Sequence, residues 1–312
     1  MILTVTMNPS IDIAYQLDGL RIDHANRAKE TIKTPGGKGL NVTRVLHTLR
    51  EDVCAAGLIG GNNGGFIKDR LKEAGIRFAF TEIKGETRCC IALLHEGKQT
   101  EVLEPGPEVD ASEYREFLKQ FYTLSKDCTC ITISGSLPLG IPDHCYADLI
   151  GAAAINGVPV ILDCSGNELR KALAADRKPY AIKPNTDELA DLLGRQVTKD
   201  PASLKAALLS EMFTGIPWII VSLGKEGCFA KHDNTFYQVR EPQIHAVSPV
   251  GSGDSMVAGI ASAFVRNMND EELLKHANTL GMLNAMQKQT GCVNLKDYNA
   301  LYQLIKIRKA SI

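Results

Sequence analysis

Short apolar runs alternate with segments of helical periodicity along most of this chain, and this order constrains the fold more than any other feature. The apolar runs, typical of buried strands, lie at residues 2–6, 53–59, 76–80, 130–134, 158–163 and 218–222. Segments with the apolar spacing of helices lie between them, at residues 42–49, 65–73, 114–124, 143–156 and 187–193. Because crossover helices join parallel strands, this order predicts an α/β fold with a mainly parallel sheet covered on both faces.

Two more polar regions interrupt the alternation and predict a small separate β element. Residues 12–34 and 87–104 have the pattern of extended hairpins, and Glu96-Gly97-Lys98 has the composition of a hairpin turn. We expect a lid of residues 11–34 and 87–105 over the carboxyl edge of the sheet. The large domain would then comprise residues 1–10, 35–86 and 106–312. Within its last third, helices are predicted at residues 256–266, 271–288 and 297–308.

Charge and apolar run length exclude several classes of protein. The 312 residues contain 35 Lys and Arg against 36 Asp and Glu, a formal net charge of -1, so neither a general nucleic-acid binder nor a protein that adsorbs to anionic membranes is expected. The apolar runs fall short of the roughly 18–20 residues that span a bilayer. The first residues do not have the basic segment followed by an apolar segment that is typical of a signal peptide. The nine cysteines form no C-x-x-C motif. We therefore expect a cytoplasmic protein with reduced, mostly buried cysteines.

The segment around Asp254 carries the strongest chemical signal. Apolar residues follow it at helical spacing, so Gly251-Ser252-Gly253 lies at a helix N-terminus, where free backbone N–H groups can bind a phosphate. Two interpretations of Asp254 remain open at this point. It either caps the helix or acts as a general base on an attacking hydroxyl while the N–H groups hold the transferred phosphoryl.

A second glycine cluster also precedes a helical segment. Gly36-Gly37-Lys38-Gly39-Leu40-Asn41 does not have the G-x-x-x-x-G-K-[ST] spacing of a P-loop, which is absent from the whole chain, as is G-x-G-x-x-G. The cluster is either a tight strand-to-helix turn or a place where a small hydroxylated ligand lies against the backbone. In the second case Lys38 and Asn41 offer a cation and an amide.

Together with two further motifs, these clusters resemble the signatures of the ribokinase-like (PfkB-type) carbohydrate kinases. Lys183-Pro184-Asn185-Thr186-Asp187-Glu188 is similar to the N-x-x-E segment of that family, and Ser222-Leu223-Gly224-Lys225-Glu226-Gly227 to its nucleotide-binding loop. The resemblance covers essentially the entire chain and is greatest to bacterial tagatose-6-phosphate kinases. It implies a three-layer α/β/α sandwich with a mainly parallel central sheet and a small inserted β-sheet lid.

The resemblance also implies roles for individual residues. Asp254 would be the base, beside an anion hole formed by the N–H groups of Gly251, Ser252 and Gly253. The sugar hydroxyls would be held by Asp12, Gly36, Gly37 and Asn41, and the sugar's phosphate by Arg27, Lys38 and Arg88. Nucleotide contacts would come from Lys183, Asn185, Ser222, Gly224, Gly227 and Asn284. Asn185 and Glu188 would arrange Mg²⁺ through water.

The implied reaction is phosphorylation of tagatose 6-phosphate at O1 by ATP and Mg²⁺. Related 6-phosphate kinases carry a basic residue at the position of Arg27, whereas 1-phosphofructokinases often do not, so the resemblance favours a ketohexose 6-phosphate. Guanidinium suits phosphate because it donates bidentate hydrogen bonds. Arg27 and Arg88 could also be ordinary exposed strand residues. Fructose 6-phosphate and fructose 1-phosphate remain alternative substrates, and a non-catalytic sugar-phosphate sensor is a remote alternative. By analogy with the family, a homodimer through the lid is expected.

Overall fold

The computed structural model of the protein describes residues 1–310, which form fourteen strands and ten α-helices, numbered in chain order. The strands are β1 (Ile2–Thr6), β2 (Ser10–Gln16), β3 (Glu30–Gly36), β4 (Val53–Gly60), β5 (Arg77–Ile83), β6 (Arg88–His95), β7 (Lys98–Leu103), β8 (Cys130–Ser134), β9 (Val160–Asp163), β10 (Ala181–Ile182), β11 (Trp218–Ser222), β12 (Cys228–His232), β13 (Thr235–Arg240) and β14 (Lys306–Ala310). The helices are α1 (Lys38–Thr48), α2 (Gly61–Glu73), α3 (Ala111–Ser125), α4 (Cys145–Ile155), α5 (Gly166–Ala174), α6 (Thr186–Leu193), α7 (Pro201–Leu208), α8 (Ser252–Val265), α9 (Asp270–Ala285) and α10 (Tyr298–Leu304).

The larger sheet has the strand order β14-β13-β12-β11-β10-β9-β8-β1-β4-β5. All neighbours from β5 to β11 pair in parallel, and β12, β13 and β14 add an antiparallel edge. Successive residues of a strand point to opposite faces, so Leu3 packs in one apolar cluster with α3 to α7, and Ile2 packs in another with α1, α8, α9 and α10. The expected three-layer sandwich is confirmed.

The smaller sheet has the strand order β3-β2-β6-β7, and it confirms the expected separate β element. Glu96 and Gly97 both have positive φ, 49° and 70°, as a two-residue turn between β6 and β7 requires. Ile11 and Ile13 of β2 pack with Ile67 and Leu71 of α2, which attaches one face of this sheet to the larger layer. We call this sheet the lid; the division of the chain into a lid and a large domain stays a prediction.

The end of the chain differs from the sequence-based expectation. The predicted helix at residues 297–308 ends at Leu304, and Lys306–Ala310 pairs with β13 as an antiparallel strand. A helix of seven residues has little stability of its own, whereas the open edge of β13 offers a full row of backbone hydrogen bonds. The pairing with β13 therefore overrides the helical pattern.

Two further observations concern the cysteines and the helices. All nine cysteines are free, and five of them are buried. Within residues 1–310, no helix combines the length and the apolar character needed to cross a membrane.

Candidate active site

Asp254 lies in the first turn of α8, at the centre of the site, and its side chain is buried. Gly251 is the residue that caps this helix and no side chain caps it, so the capping interpretation of Asp254 is wrong. Burial and, to a smaller extent, the nearby Asp163 raise the pKa of Asp254 from 3.8 to about 6, against the opposing effects of Asn41, Lys38 and Lys183. A carboxylate with a pKa just below neutrality is ionised at pH 7 and still accepts a proton readily, which suits a general base.

The loop that precedes Asp254 presents backbone N–H groups to the same space. Gly251 has a φ of 82°, in the left-handed region that favours glycine, and this turn opens the helix. The first-turn N–H groups of a helix have no partners within the helix and can bind an anion. The N–H of Ser252 donates to the carbonyl of Pro249 at 3.2 Å, so it would have to exchange that bond for one to phosphate.

Asn284 supports this loop from within the protein. Its side chain is fully buried, and its Nδ2 donates to the carbonyl of Val250 at 2.8 Å. Its Oδ1 accepts from the N–H of Gly291 at 2.9 Å. Both ends of the amide are therefore bonded to the protein, and the predicted nucleotide contact of Asn284 stays a prediction.

The two glycine motifs meet at Asp254, although they lie far apart in the sequence. Asn41 Nδ2 in α1 donates to Asp254 Oδ2 at 2.7 Å, across 213 positions of the chain. Gly37, with a φ of 96°, caps α1, so the first motif is a strand-to-helix turn and also contributes a side chain to the site. We call residues 36–41 the sugar loop and residues 250–253 the phosphate loop, after their proposed ligands. The contact between Asn41 and Asp254 joins the two loops.

Asp12 approaches the sugar loop from the lid. A Cβ on Gly36 would lie 2.0 Å from Asp12 Cγ, so only glycine lets the carboxyl group rest on this backbone. The Ser10 hydroxyl donates to Asp12 Oδ1 at 2.6 Å. Burial raises the pKa of Asp12, while Ser10, Arg44 and Arg88 oppose that rise. The arrangement leaves a carboxylate above the start of α1, where it can accept hydrogen bonds from sugar hydroxyls.

Two lysines converge on Asp163, which ends β9. Lys38 Nζ lies 3.7 Å from Asp163 Oδ2, and Lys183 Nζ lies 3.3 Å from Asp163 Oδ1. The pKa of Lys38 is raised, mainly by Asp163. Burial alone would raise the pKa of Asp163, but the two ammonium groups lower it overall. Lys183 Nζ would lie 3.0 Å from a Cβ on Gly253, so this cation rests directly against the phosphate loop.

The two predicted phosphate-binding arginines have different surroundings. Arg88 donates from Nη1 to the carbonyl of Glu104 at 2.8 Å and from Nη2 to the carbonyl of Asn8 at 3.1 Å, and it lies close enough to Asp12 to lower its pKa. Arg27 lies in the exposed loop between β2 and β3, where it lines a surface groove with Asp18 and Arg21. The structure thus places Arg88 beside the site residues, and the role of Arg27 stays a prediction.

The predicted nucleotide motifs also come together. Asn185 Oδ1 accepts from the N–H groups of Asp187 at 2.9 Å and Glu188 at 2.8 Å, and Glu188 Oε2 accepts from the N–H of Asn185 at 2.9 Å. This capping box begins α6, and a backbone bridge joins Asn185 to Ser222. Gly224 and Gly227 have φ values of 62° and 97° in the loop that follows β11.

These residues fit a magnesium–nucleotide complex that is held partly through water. Within residues 1–310, no group of three or more His, Cys, Asp or Glu side chains is arranged to hold a metal ion. Mg²⁺ commonly keeps several waters and binds through one or two carboxylates and the substrate's phosphates. Glu188 uses one carboxylate oxygen in the capping box. Its negative charge is close enough to Lys38 to help raise the pKa of that lysine. Glu188 thus leaves one carboxylate oxygen that would hold water ligands of Mg²⁺, and the nucleotide's phosphates would supply the other oxygen donors.

Sequence analysis missed two polar residues of this site, Arg44 and Asp163. Arg44 lies one turn after Asn41 on α1, and its Nη2 donates to Asn41 Oδ1 at 2.6 Å. Nothing in the periodicity of α1 sets Arg44 apart from an exposed arginine. The position of Asp163 directly after a buried run was a usable signal, because the carboxyl ends of parallel strands meet at one edge.

Comparisons with known proteins decide the family. Residues 5–296 match the pfkB family of carbohydrate kinases. The chain belongs to this family. A solved structure from Staphylococcus aureus, named a "putative phosphofructokinase", is 31% identical, with 99% of each chain covered and a TM-score of 0.83. Phosphofructokinase-2 from Escherichia coli is 29% identical over 97% of this chain and 98% of its own, with a TM-score of 0.90.

A third solved structure shows the same fold at lower identity. The "possible 1-phosphofructokinase" from Thermotoga maritima is 24% identical over the full length of both chains, with a TM-score of 0.88. As a member of the pfkB family, the protein is a carbohydrate kinase, and the resemblance seen in its sequence motifs is confirmed. The expected preference for tagatose 6-phosphate is not confirmed by these relatives.

Proposed function

We propose that the protein transfers the γ-phosphoryl group of ATP to O1 of D-tagatose 6-phosphate and forms tagatose 1,6-bisphosphate and ADP. The observation that carries the proposal is the placement of Asp254. This buried carboxylate, with a pKa of about 6, lies beside the phosphate loop and is bonded to Asn41 of the sugar loop. A hydroxyl bound between the two loops would lie next to both a base and an anion site.

In the proposed reaction Asp254 accepts the proton of the O1 hydroxyl. O1 then forms a bond to the γ-phosphorus as the bond from that phosphorus to the β,γ-bridging oxygen breaks, and ADP leaves with that electron pair. Asp254 returns its proton to solvent after the products leave. Positioning and charge neutralisation supply most of the rate enhancement in such transfers.

The charge that develops on the transferred group would meet the N–H groups of the phosphate loop and two cations. Lys183 rests against Gly253, and Lys38 begins α1 nearby. Asp163 holds both ammonium groups by ion pairs, which limits their motion before substrate binds. Bound Mg²⁺ would neutralise charge on the nucleotide phosphates, and Asn185 and Glu188 would hold its water ligands.

For the sugar, Asp12 and the backbone at Gly36 and Gly37 would bind hydroxyl groups. Arg88 and Arg27 would bind the 6-phosphate, with Lys38 adding positive charge. The outer strand of the lid, β7, leaves Val102 and Leu103 56% and 60% exposed. We propose that a second copy of the chain covers this apolar edge in a homodimer, and that the enzyme works in the cytoplasm.

A second candidate is phosphorylation of fructose 6-phosphate. It is favoured by the E. coli relative, which was solved in complex with fructose 6-phosphate and is 28% identical. Fructose and tagatose differ only in configuration at C4, so the same base and phosphate loop serve both sugars. The preference for one sugar over the other would depend on the residues that contact the C4 hydroxyl.

The test is a comparison of kcat/KM for tagatose 6-phosphate, fructose 6-phosphate and fructose 1-phosphate at a fixed concentration of Mg-ATP. We expect the highest value with tagatose 6-phosphate. A higher value with fructose 6-phosphate would establish the second candidate. Binding of these sugars without turnover of any of them would instead favour the sensor function.

A further inference from the structure

Arg44 joins three segments of chain behind the sugar loop. Its Nη1 donates to the carbonyl of Pro35 in lid strand β3. Its Nη2 donates to Asn41 Oδ1 at 2.6 Å and to the carbonyl of Thr290, after α9, at 2.7 Å. The guanidinium therefore meets only acceptors, from the lid, from α1 and from the segment after α9. Asn41 therefore lies between Arg44 and Asp254 and is bonded to both of them.

The chemistry of the guanidinium determines which way the Asn41 amide faces. Arginine has N–H donors and no acceptor, so the atom of Asn41 that faces Arg44 must be the oxygen. The other end of the amide, the NH₂ group, then faces Asp254, as the 2.7 Å contact shows. A donor at this position stabilises the ionised carboxylate, which is the form that accepts a proton. Without such a cation, the amide is free to turn its oxygen toward Asp254 and favour the protonated acid.

Close packing supports this arrangement from the other side. A Cβ on Gly291 would lie 2.7 Å from Asn41 Cα and 3.0 Å from Arg44 Nη2, so the backbone at Gly291 presses directly on both residues. The N–H of Gly291 donates to Asn284, which in turn bonds the phosphate loop at Val250. Hydrogen bonds thus link Arg44 to Asp254 through Asn41. The peptide group between Thr290 and Gly291 accepts from Arg44 and donates to Asn284, which links Arg44 to the phosphate loop.

The other charged groups near Asp254 do not take the place of the hydrogen bond from Asn41. The groups that act on its carboxylate from the surrounding elements are, besides Asn41, the carboxylate Asp163 and the cations Lys38, Lys183 and Arg44. Asp163 forms ion pairs with both lysines, so part of their charge is already neutralised. Arg44 also faces Asp12 and Cys292. Among these groups, Asn41 is the one that donates a hydrogen bond to Asp254 in the structure.

We propose that Arg44 is a positioning residue for catalysis, because it holds the Asn41 amide in the orientation that keeps Asp254 able to accept a proton. The proposal rests on the proposed role of Asp254 as the base. It assigns Arg44 no contact with substrate.

The experiment compares Arg44→Met and Arg44→Lys with a matched control, Arg266→Met, in the full chain. Arg266 follows α8, at the end opposite to Asp254, and it bonds the segment just after α1 through Glu51 and the carbonyl of Leu49. For each variant, kcat and KM are measured with Mg-ATP and the best ketohexose phosphate from pH 5 to 9, together with Tm. Ionisation of the sugar phosphate is common to all variants and cancels in the comparison.

With Arg44→Met we expect the acidic limb of the pH profile of kcat/KM to move up by about one pH unit, because a donor to the carboxylate is lost. We expect kcat at pH 7 to fall about twofold, because the ionised fraction of Asp254 drops from about nine-tenths to about half. Lysine also has only donors, so Arg44→Lys should keep the acidic limb near its wild-type position. Arg266→Met should lower Tm and leave the limb where it was.

A folded Arg44→Met variant with the wild-type limb and kcat overturns the proposal, as does a shift of equal size in Arg44→Lys. If Arg44→Met does not fold, neutron diffraction from deuterium-exchanged wild-type crystals decides, because it shows which end of the Asn41 amide faces Asp254. Oxygen facing Asp254 overturns the proposal, and deuterated nitrogen supports it. Near-normal turnover in Asp254→Asn instead overturns the base assignment itself, so the two failures are distinguishable.

Discussion

Removing the charge of Asp254 should make the protein more stable while it removes activity. Burial and the neighbouring Asp163 raise the pKa of this carboxyl group from 3.8 to about 6, so holding it ionised in the folded state costs free energy. Each pKa unit is 1.36 kcal/mol, and the difference therefore corresponds to roughly 3 kcal/mol at a pH above both values. Asp254→Asn removes this cost and keeps an oxygen that can accept from Asn41.

The sign of the pH dependence follows from the two pKa values. The pKa of Asp254 is higher in the folded chain, so protonation of this group stabilises the fold. That stabilisation is complete below about pH 3.8 and is lost as the pH rises through about 6. The difference in stability between Asp254→Asn and the wild type should therefore be only about 0.5 kcal/mol at pH 4 and should grow to its full size by pH 7.5.

The assay is thermal unfolding of both proteins across this pH range. Unfolding entropy is about 2.1 cal/mol/K per residue, so roughly 3 kcal/mol corresponds to a rise in Tm of about 4–5 °C in a chain of this length. Asp69→Asn, at an exposed position of α2, is the control for the general loss of a negative charge. An equal Tm of Asp254→Asn and wild type at pH 7.5, or a difference that keeps its full size at pH 4, would refute the reasoning.

Asp254→Asn and two other variants test the proposed site by steady-state kinetics. Asp254→Asn should lower kcat by about 10²–10⁴, as expected when a general base is lost, and near-normal turnover would contradict that role. Arg88→Ala should mainly raise KM for the sugar phosphate, since it removes a cation beside Asp12; an unchanged KM would remove it from the phosphate site. Gly36→Ala should displace the Asp12 carboxyl group, because the new Cβ would lie 2.0 Å from Asp12 Cγ. It should raise KM for the sugar with KM for ATP little changed, and equal rises in both would point to general damage.

Local sequence patterns determined the layers of the fold and marked the two glycine motifs of the candidate site, whereas the other predicted site residues were implied by the resemblance to the family. Buried strands and amphipathic helices have different apolar periods, so their alternation predicts the parallel sheet without any knowledge of long-range contacts. Glycines at 36, 37 and 251 mark places where a chain turns sharply into a helix, and the helix start itself supplies N–H groups for an anion. These signals lie within a few residues of one another, and a single sequence therefore displays them.

The tertiary structure alone decided how distant groups act on one another. The bond between Asn41 and Asp254, the ion pairs at Asp163 and the hydrogen bonds of Arg44 to Pro35 and Thr290 all join segments that no local pattern connects. The pKa of Asp254 depends on burial, which only the packed layers create. The last strand, β14, likewise forms where its own sequence predicts a helix, because the edge of β13 is there to pair with it. Periodicity thus identifies the elements and loops, whereas the charges and hydrogen bonds around Asp254, the proposed base, arise when those elements assemble.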